Sequence, residues 1–363
     1  MPDQPPVNTI LQGDCVGLMR ELPAESVDVI FADPPYNLQL KQPLWRPDNT
    51  KVNPVDDDWD EFGGSDPHDA FTRQWLQAAR RLLKPRSSIW VCGTYHSIYR
   101  VGAIMQALGY WLMNGVAWYK RDATPNFNGT RLKNDVEFLV WAKRDEDAKY
   151  TFNYQPLKQF NDGKQLGSMW DIPKVKRYEQ ILDADGDRVH STQKPEALLE
   201  RVMVASTRPN DLILDPFFGS GTTGVVAKQL GRRWLGIELE TTYIETAQQR
   251  INAAEPLPAT DPLMQQAVDH RARRVSFQTL IKQGYLSVGQ QLWLKGTDYA
   301  VTITPNGRLA YGERVETIHI MCRHLLNVPS CNGWTVWRYT DEDGTRRPIN
   351  HLRQQYRAAN GIE

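Results

Sequence analysis

Cysteine is scarce in this chain and never falls in CxxC spacing: Cys15, Cys92, Cys322 and Cys331 are widely scattered. That pattern suits a reducing cytoplasm and argues against a zinc site or a disulfide framework. No apolar run approaches the length needed to cross a bilayer. The opening MPDQPPVNTILQGD has neither the basic start nor the apolar stretch of a signal peptide. There is no internal repeat and no low-complexity tract. Net charge is missing as well, since 43 Lys and Arg balance 43 Asp and Glu. An ordinary cytoplasmic globular protein is expected, its 363 residues sufficing for one large domain with an appendage, or for two domains.

The charge vanishes only in sum. Residues 270–363 hold thirteen Lys and Arg against seven Asp and Glu, so this tail carries +6 and the body −6. A basic appendage reads in two ways, as a module for a polyanion or as a solvated surface with no partner.

Up to about residue 253, short apolar runs alternate with amphipathic patterns. Strands are expected over Asn8–Gln12, Val27–Ala32, Ser88–Gly93, Trp111–Tyr119, Val136–Ala142, Leu212–Asp215 and Arg233–Glu238. Helices are expected over Pro67–Leu83, His96–Leu108, Pro195–Thr207, Gly221–Leu230 and Thr241–Ala253. This alternation predicts a doubly wound α/β domain with a mostly parallel sheet over residues 1–254. Two long loops interrupt it, at 37–66 and 122–135, and loops of that length are more often functional than accidental. The proline-rich AAEPLPATDPL opens a linker expected over 255–269. Residues 270–363 then read as a smaller α+β module with a turn at Pro305-Asn306-Gly307.

Two stretches carry chemistry. LILDPFFGSGTTG (212–224) holds a GxGxxG between a strand and a helix, with Glu238 ending the next strand. A dinucleotide site is the obvious reading. Yet Asp215 stands at the strand end, where a pyrophosphate would be repelled and the cationic amino group of S-adenosylmethionine (SAM) attracted. The glycines would let a nucleoside approach the backbone closely; the alternative is that they serve packing alone. The second stretch, ADPPYNLQL (32–40), puts an acid, two prolines and an aromatic at the end of another strand. Methylation of an exocyclic amine needs acceptors for its N–H groups, so that the nitrogen lone pair can face the methyl donor. Asp33 offers a carboxylate, Pro34 or Pro35 a carbonyl held by fixed φ angles, and Tyr36 a flat face for an extruded base.

DPPY followed downstream by DPFFGSGTTG resembles the amino-methyltransferases of DNA in their permuted motif order. More closely, QGDCVGLMRELPAESVDVIFADPPYNLQL, FNGTR, HSTQKPEALLERV and SCNGWTVW resemble the bacterial cell-cycle-regulated adenine methyltransferases, the CcrM family. The resemblance covers nearly the whole chain. It implies a SAM-dependent methyltransferase sheet with a small C-terminal DNA-binding domain. It also implies methylation of adenine N6 within 5'-GANTC-3' in duplex DNA, cytoplasmic and nucleoid-associated, by a homodimer without a metal. By position it implies that Asp33, Pro34, Pro35 and Tyr36 hold the target adenine. Asp215, Phe217, Gly219, Gly221 and Thr222, together with Asp33, would surround the methionine part of SAM. Glu238 would meet its ribose, Asp14 and Cys15 its adenine, and Lys194 its carboxylate.

For DNA, Arg46 and Arg131 sit on the two long loops, and Trp45 and Phe127 are candidates to wedge where a base leaves the stack. In the tail, Asn332, Trp334, Trp337 and Arg338 mix amide, aromatic and cation, suited to reading an edge or stacking bases. The two tryptophans read equally well as core, and Asn332-Gly333 as a hairpin turn. Rival functions are an N4-cytosine methyltransferase, disfavoured by aspartate where serine is usual, and an inactive DNA-binding homologue. C5-cytosine chemistry is set aside, because no cysteine follows a proline.

Overall fold

The computed structural model describes residues 4–38, 44–45, 51–52, 60–126, 129–176, 179–181, 192–264 and 275–360. The chain divides into two compact units, Met1–Ala267 and Val268–Glu363. The first unit begins with β1 (Thr9–Gln12), α1 (Cys15–Glu21), β2 (Val27–Ala32) and a small hairpin, β3 (Leu44–Trp45) with β4 (Lys51–Val52). There follow α2 (Ser65–Leu82), β5 (Leu83–Gly93), α3 (Ile98–Ala107), β6 (Trp111–Tyr119), β7 (Val136–Lys143), α4 (Tyr154–Leu157) and β8 (Met169–Asp171). It closes with α5 (Glu196–Ser206), β9 (Leu212–Asp215), α6 (Thr222–Gln229), β10 (Arg233–Glu238) and α7 (Thr241–Ala253).

Eight of these strands form one sheet in the order β1-β10-β9-β2-β5-β7-β6-β8. β7 runs against both its neighbours, and the other pairings are parallel. Strand alternation sends successive side chains to opposite faces. Val29, Phe31, Trp90 and Cys92 therefore join one core, under α5, α6 and α7. Ile30, Ala32, Ile89 and Val91 join the other, under α1, α2 and α3. A sheet buried on both faces explains why β2 beyond Asp28, and β9 up to Asp215, read as continuous apolar runs. The strand order reverses between β9 and β2, which leaves a crevice beyond their carboxyl ends.

The expected elements are all present, five of them (Val27–Ala32, Trp111–Tyr119, Leu212–Asp215, Arg233–Glu238 and Thr241–Ala253) with the expected bounds and the others with shifted ends. The additional α1, α4 and β8 span seven, four and three residues, too short to show a period. The linker expectation needs correcting at its start. Ala254, Leu257, Leu263 and Met264 pack on the first unit's core, and the Leu257 amide donates to the Gln229 carbonyl at 2.8 Å. The prolines stop α7, but the apolar residues between them find a surface.

The second unit contains α8 (Phe277–Lys282), β11 (Gln291–Leu294), β12 (Ala300–Ile303), β13 (Leu309–Tyr311), β14 (Arg314–Glu316), α9 (Ile318–Leu326), α10 (Gly333–Val336), β15 (Trp337–Thr340), β16 (Arg346–Pro348) and α11 (Ile349–Ala359). Its strands form an antiparallel sheet in the order β14-β13-β12-β11-β15-β16. Gly307, at φ 72°, turns β12 into β13. Leu292, Leu294, Val301 and Leu309 bury one face of the sheet against Leu280, Met321 and Ile349. Cys322 and Cys331 are disulfide-bonded, against the expectation from their spacing. The reversal between α9 and α10 brings their Cα atoms to 6.1 Å, within bridging range. Cys15 and Cys92 are free and buried. Among the described residues no group of His, Cys, Asp or Glu could hold a metal, and no helix is long and apolar enough to cross a membrane.

Candidate active site

The carboxyl ends of β1, β10, β9 and β2 converge on a cavity of about 280 Å³. Asp14, Asp33, Asp215 and Glu238 all line it, each from a different strand end. Parallel strands produce this clustering, because they deliver all their C-terminal loops to one edge.

Asp215 is buried at 3% exposure. Its Oδ1 accepts from the Phe217 amide at 3.0 Å and its Oδ2 from the Thr223 hydroxyl at 2.5 Å. Burial pushes its carboxyl well above the usual range, those two donors pull it back, and Asp33 and Glu238 push it further up. Among the described residues no cation pairs with it. Glu238 is pinned differently, accepting from the Gly219 amide at 2.6 Å and from the Leu239 and Glu240 amides at 2.8 and 3.0 Å. Asp14 caps α1 by accepting from the Gly17 amide at 2.6 Å, and burial pushes the neighbouring Cys15 thiol up to about 12.

The glycine loop divides its labour. Gly219, at φ 49°, lines the cavity with Phe217 and Thr222. Gly221 does not line it. A Cβ on Gly221 would stand 2.6 Å from Ala247 Cβ, and one on Gly224 2.4 Å from Ile251 Cδ1. At these two positions glycine serves the packing of α6 against α7, which corrects the expectation of close approach to a nucleoside. Arg250 fastens the loop, donating to the Ser220 carbonyl at 2.7 Å while pairing with Glu196 at 3.1 Å.

The DPPY segment departs from expectation at two atoms. Tyr36 is only 7% exposed, and its hydroxyl donates to Asp33 Oδ1 at 2.6 Å. The Pro35 carbonyl is occupied by the ring of buried His68 at 2.9 Å. Among the described residues, the Pro34 carbonyl meets no donor, so it is the available second acceptor. Lys194 lines the cavity, and its Nζ lies 2.6 Å from Asp33 Oδ2 and 5.2 Å from the centroid of the Tyr36 ring. The Asp60 carboxylate accepts from the Asn37 and Leu38 amides at 2.7 and 2.8 Å and so fixes the chain beyond.

Behind this segment lie two charges that the sequence reading missed. Glu137 on β7 accepts from Lys120 Nζ at 2.6 Å and stands 3.9 Å from Lys194 Nζ and 3.4 Å from the Tyr36 hydroxyl. Burial pushes Asp33 upward and Lys194 opposes it. Burial works against the charge on Lys194, but Asp33 and Glu137 outweigh it and hold the ammonium above its usual value. Burial would raise Glu137, yet Lys194 and Lys120 bring it below the ordinary range.

The candidate DNA contacts belong to both units. Arg131 is exposed on its loop and, after burial, is the second cause depressing His96. Arg46 and Phe127 lie outside the described residues, and Trp45 lies in β3. In the second unit Asn332 is exposed, but it caps α10 through the Trp334 amide at 3.2 Å and makes no hairpin turn. Trp334 is half-buried beneath Arg353, whose guanidinium is 4.7 Å from its ring centroid. Trp337 is core, fully buried with its indole N–H donating to the Ile318 carbonyl at 2.8 Å.

Known proteins resemble both units. A family profile described as DNA methylase matches residues 27–249, and one described as Restriction Enzyme Adenine Methylase Associated matches 260–361. Type II methyltransferase M.HinfI of Haemophilus influenzae is 41% identical over 350 residues, 96% of this chain and 97% of its own. Type II methyltransferase M2.LlaDCHI of Lactococcus lactis subsp. cremoris is 39% identical over 244 residues, 67% of this chain and 88% of its own. The solved PvuII DNA methyltransferase (cytosine-N4-specific) matches with a TM-score of 0.53 and 19% identity, covering 71% of this chain and 97% of that one, a likeness of fold alone.

Proposed function

From the premise that this chain belongs to the DNA methylase family, we propose that it methylates N6 of adenine in duplex DNA, within 5'-GANTC-3'. Family membership makes it a DNA methyltransferase; the base, the atom and the site sequence are our reading. One observation carries it. Asp33 and Asp215 end neighbouring strands and line the same cavity, so an amine acceptor and a buried carboxyl with no cation among the described residues face one space.

The residues fit SAM as methyl donor. Asp215 is a buried carboxyl with no cation among the described residues, and an α-amino group supplies one. Glu238, held by three amides, keeps lone pairs for a ribose diol. Bound SAM contributes an electrophilic sulfonium methyl. The chain's own part is to take the N–H hydrogens of the target amine on Asp33 and on the Pro34 carbonyl. Their geometry favours a pyramidal nitrogen with its lone pair exposed, a matter of positioning and preorganised charge with no covalent intermediate.

Adenine is favoured over cytosine by the aspartate of DPPY and by a C-terminal profile whose description names adenine methylases. GANTC recognition and a homodimer are supported by the likeness to the cell-cycle-regulated enzymes, as is a place in the bacterial cytoplasm. A cell-cycle role is a narrower proposal still, because a Type II relative matches 96% of the same chain. We assign the second unit and the exposed Arg131 to DNA contact.

Labelled SAM incubated with duplexes that contain or lack GANTC, followed by digestion to nucleosides, tests this directly. N6-methyladenine confined to GANTC duplexes is expected. N4-methylcytosine, or label independent of sequence, overturns the assignment.

A further inference from the structure

Asp33 is already occupied where a substrate amine must bind. Oδ1 takes the Tyr36 hydroxyl at 2.6 Å and Oδ2 takes Lys194 at 2.6 Å. The hydroxyl has a second acceptor waiting, Glu137 Oε2 at 3.4 Å, a length at which little of a hydrogen bond is yet formed. Glu137 is well placed to receive it. Its Oε1 is held by Lys120 at 2.6 Å, while among the described residues Oε2 has, besides that hydroxyl, the distant Lys194 at 3.9 Å. Lys120, Glu137, Lys194 and Asp33 thus form an alternating, buried chain of charge, with Tyr36 bridging its two carboxylates.

We propose that Glu137 is a positioning residue for the amine acceptor: as the substrate amino group takes Asp33 Oδ1, the Tyr36 hydroxyl passes from Asp33 to Glu137 Oε2. The exchange keeps every buried donor paired, because one acceptor is gained as another is given up. It makes no bond and moves no proton between residues. A phenol kept on Asp33 would compete with the amine for the same oxygen, so the cost of lacking Glu137 falls on the reacting complex. The proposal rests on the reading of Asp33 as the amine acceptor.

The test is a double-mutant cycle on the single-turnover rate of methyl transfer, using Glu137→Gln and Tyr36→Phe in the full-length protein with duplex DNA. Lys120 donates to position Oε1, so Glu137→Gln presents an N–H group toward the Tyr36 hydroxyl and removes the receiving acceptor. A hydrogen bond to a charged group predicts a rate loss of about tenfold or more for Glu137→Gln when Tyr36 is present. In the Tyr36→Phe background the same change is expected to cost several-fold less, since only the lost charge beside Lys120 and Lys194 remains and no hydroxyl needs a new partner. Equal losses in both backgrounds overturn the handover and leave Glu137 a structural residue. Should Glu137→Gln fail to fold, Glu137→Asp keeps the charge, withdraws the oxygen, and must show the same dependence on Tyr36. Asp33→Ala separates the two levels: full activity in that variant defeats the amine-acceptor reading itself, whereas an inactive Asp33→Ala with an additive cycle defeats only the handover.

Discussion

Asp33 and Asp215 end neighbouring parallel strands and line one cavity, yet Lys194 pairs with Asp33 at 2.6 Å while Asp215 has no cation among the described residues. Two acids so close, in such different company, are set for different work: one is balanced from within the protein and the other awaits a charge from outside.

SAM binding should therefore depend on pH through Asp215. Burial raises this carboxyl, so the free protein holds a proton there at pH values where a solvated aspartate is ionised. A bound α-ammonium favours the ionised form and expels that proton. Affinity is expected to rise with pH up to the raised value and then level off. Calorimetric titration in two buffers of different ionisation heat should report proton release. Asp215→Asn should weaken SAM binding about tenfold or more and remove the release. Binding that is flat with pH and unaltered by Asp215→Asn defeats this assignment.

The acid limb of catalysis belongs to Asp33. Its carboxyl is pushed up by burial and held down by Lys194, and only the ionised form serves as an acceptor on both oxygens without a donor of its own. Activity is thus lost as pH falls through a value above the ordinary aspartate range. Lys194→Met removes the cation that lowers Asp33, so the limb should move up by about one unit or more. Single-turnover rates against pH measure it, and a limb that stays put or moves down contradicts the pairing.

Much of this site is legible in the sequence because its acids stand at strand ends beside turn residues. Asp33, Asp215 and Glu238 each terminate an apolar run, where a charge has no packing role. Glu137 and Lys120 are not legible. In VEFLVWAK a single acid reads as the solvent-facing residue of a strand, and only the pairing of β6 with β7 shows that it is covered. His68 hides for a similar reason, since a helical histidine announces no partner 33 residues away. Tyr36 reads as a flat face for an extruded base, and the fold also sets its hydroxyl on Asp33. The disulfide between Cys322 and Cys331 depends on a chain reversal that spacing does not encode.

Gly224→Ala should damage stability without touching SAM recognition directly. The new Cβ would lie 2.4 Å from Ile251 Cδ1 and 2.8 Å from Phe218 Cζ, both buried, and Gly224 does not line the cavity. Overpacking of this kind costs about 1–3 kcal/mol. Urea denaturation should show that loss, and Ile251→Ala should recover part of it in the double variant. An additive double variant would mean that α6 and α7 separate freely.

The second unit carries an unclaimed pair of cations. Arg353 and Arg357 lie one turn apart on α11, neither pairs with a carboxylate among the described residues, and their Nε atoms are buried without acceptors. Burial and the neighbouring Arg357 both work against the charge on Arg353, which lies over the Trp334 ring beside exposed Asn332. DNA phosphates would relieve that repulsion and satisfy the fork of donors. Replacing both arginines with alanine should weaken duplex binding at every sequence, leave SAM binding unchanged, and reduce the slope of log affinity against log salt by about two. Fluorescence anisotropy between low and moderate salt reads the slope, and an unchanged slope would show that these arginines do not meet phosphate.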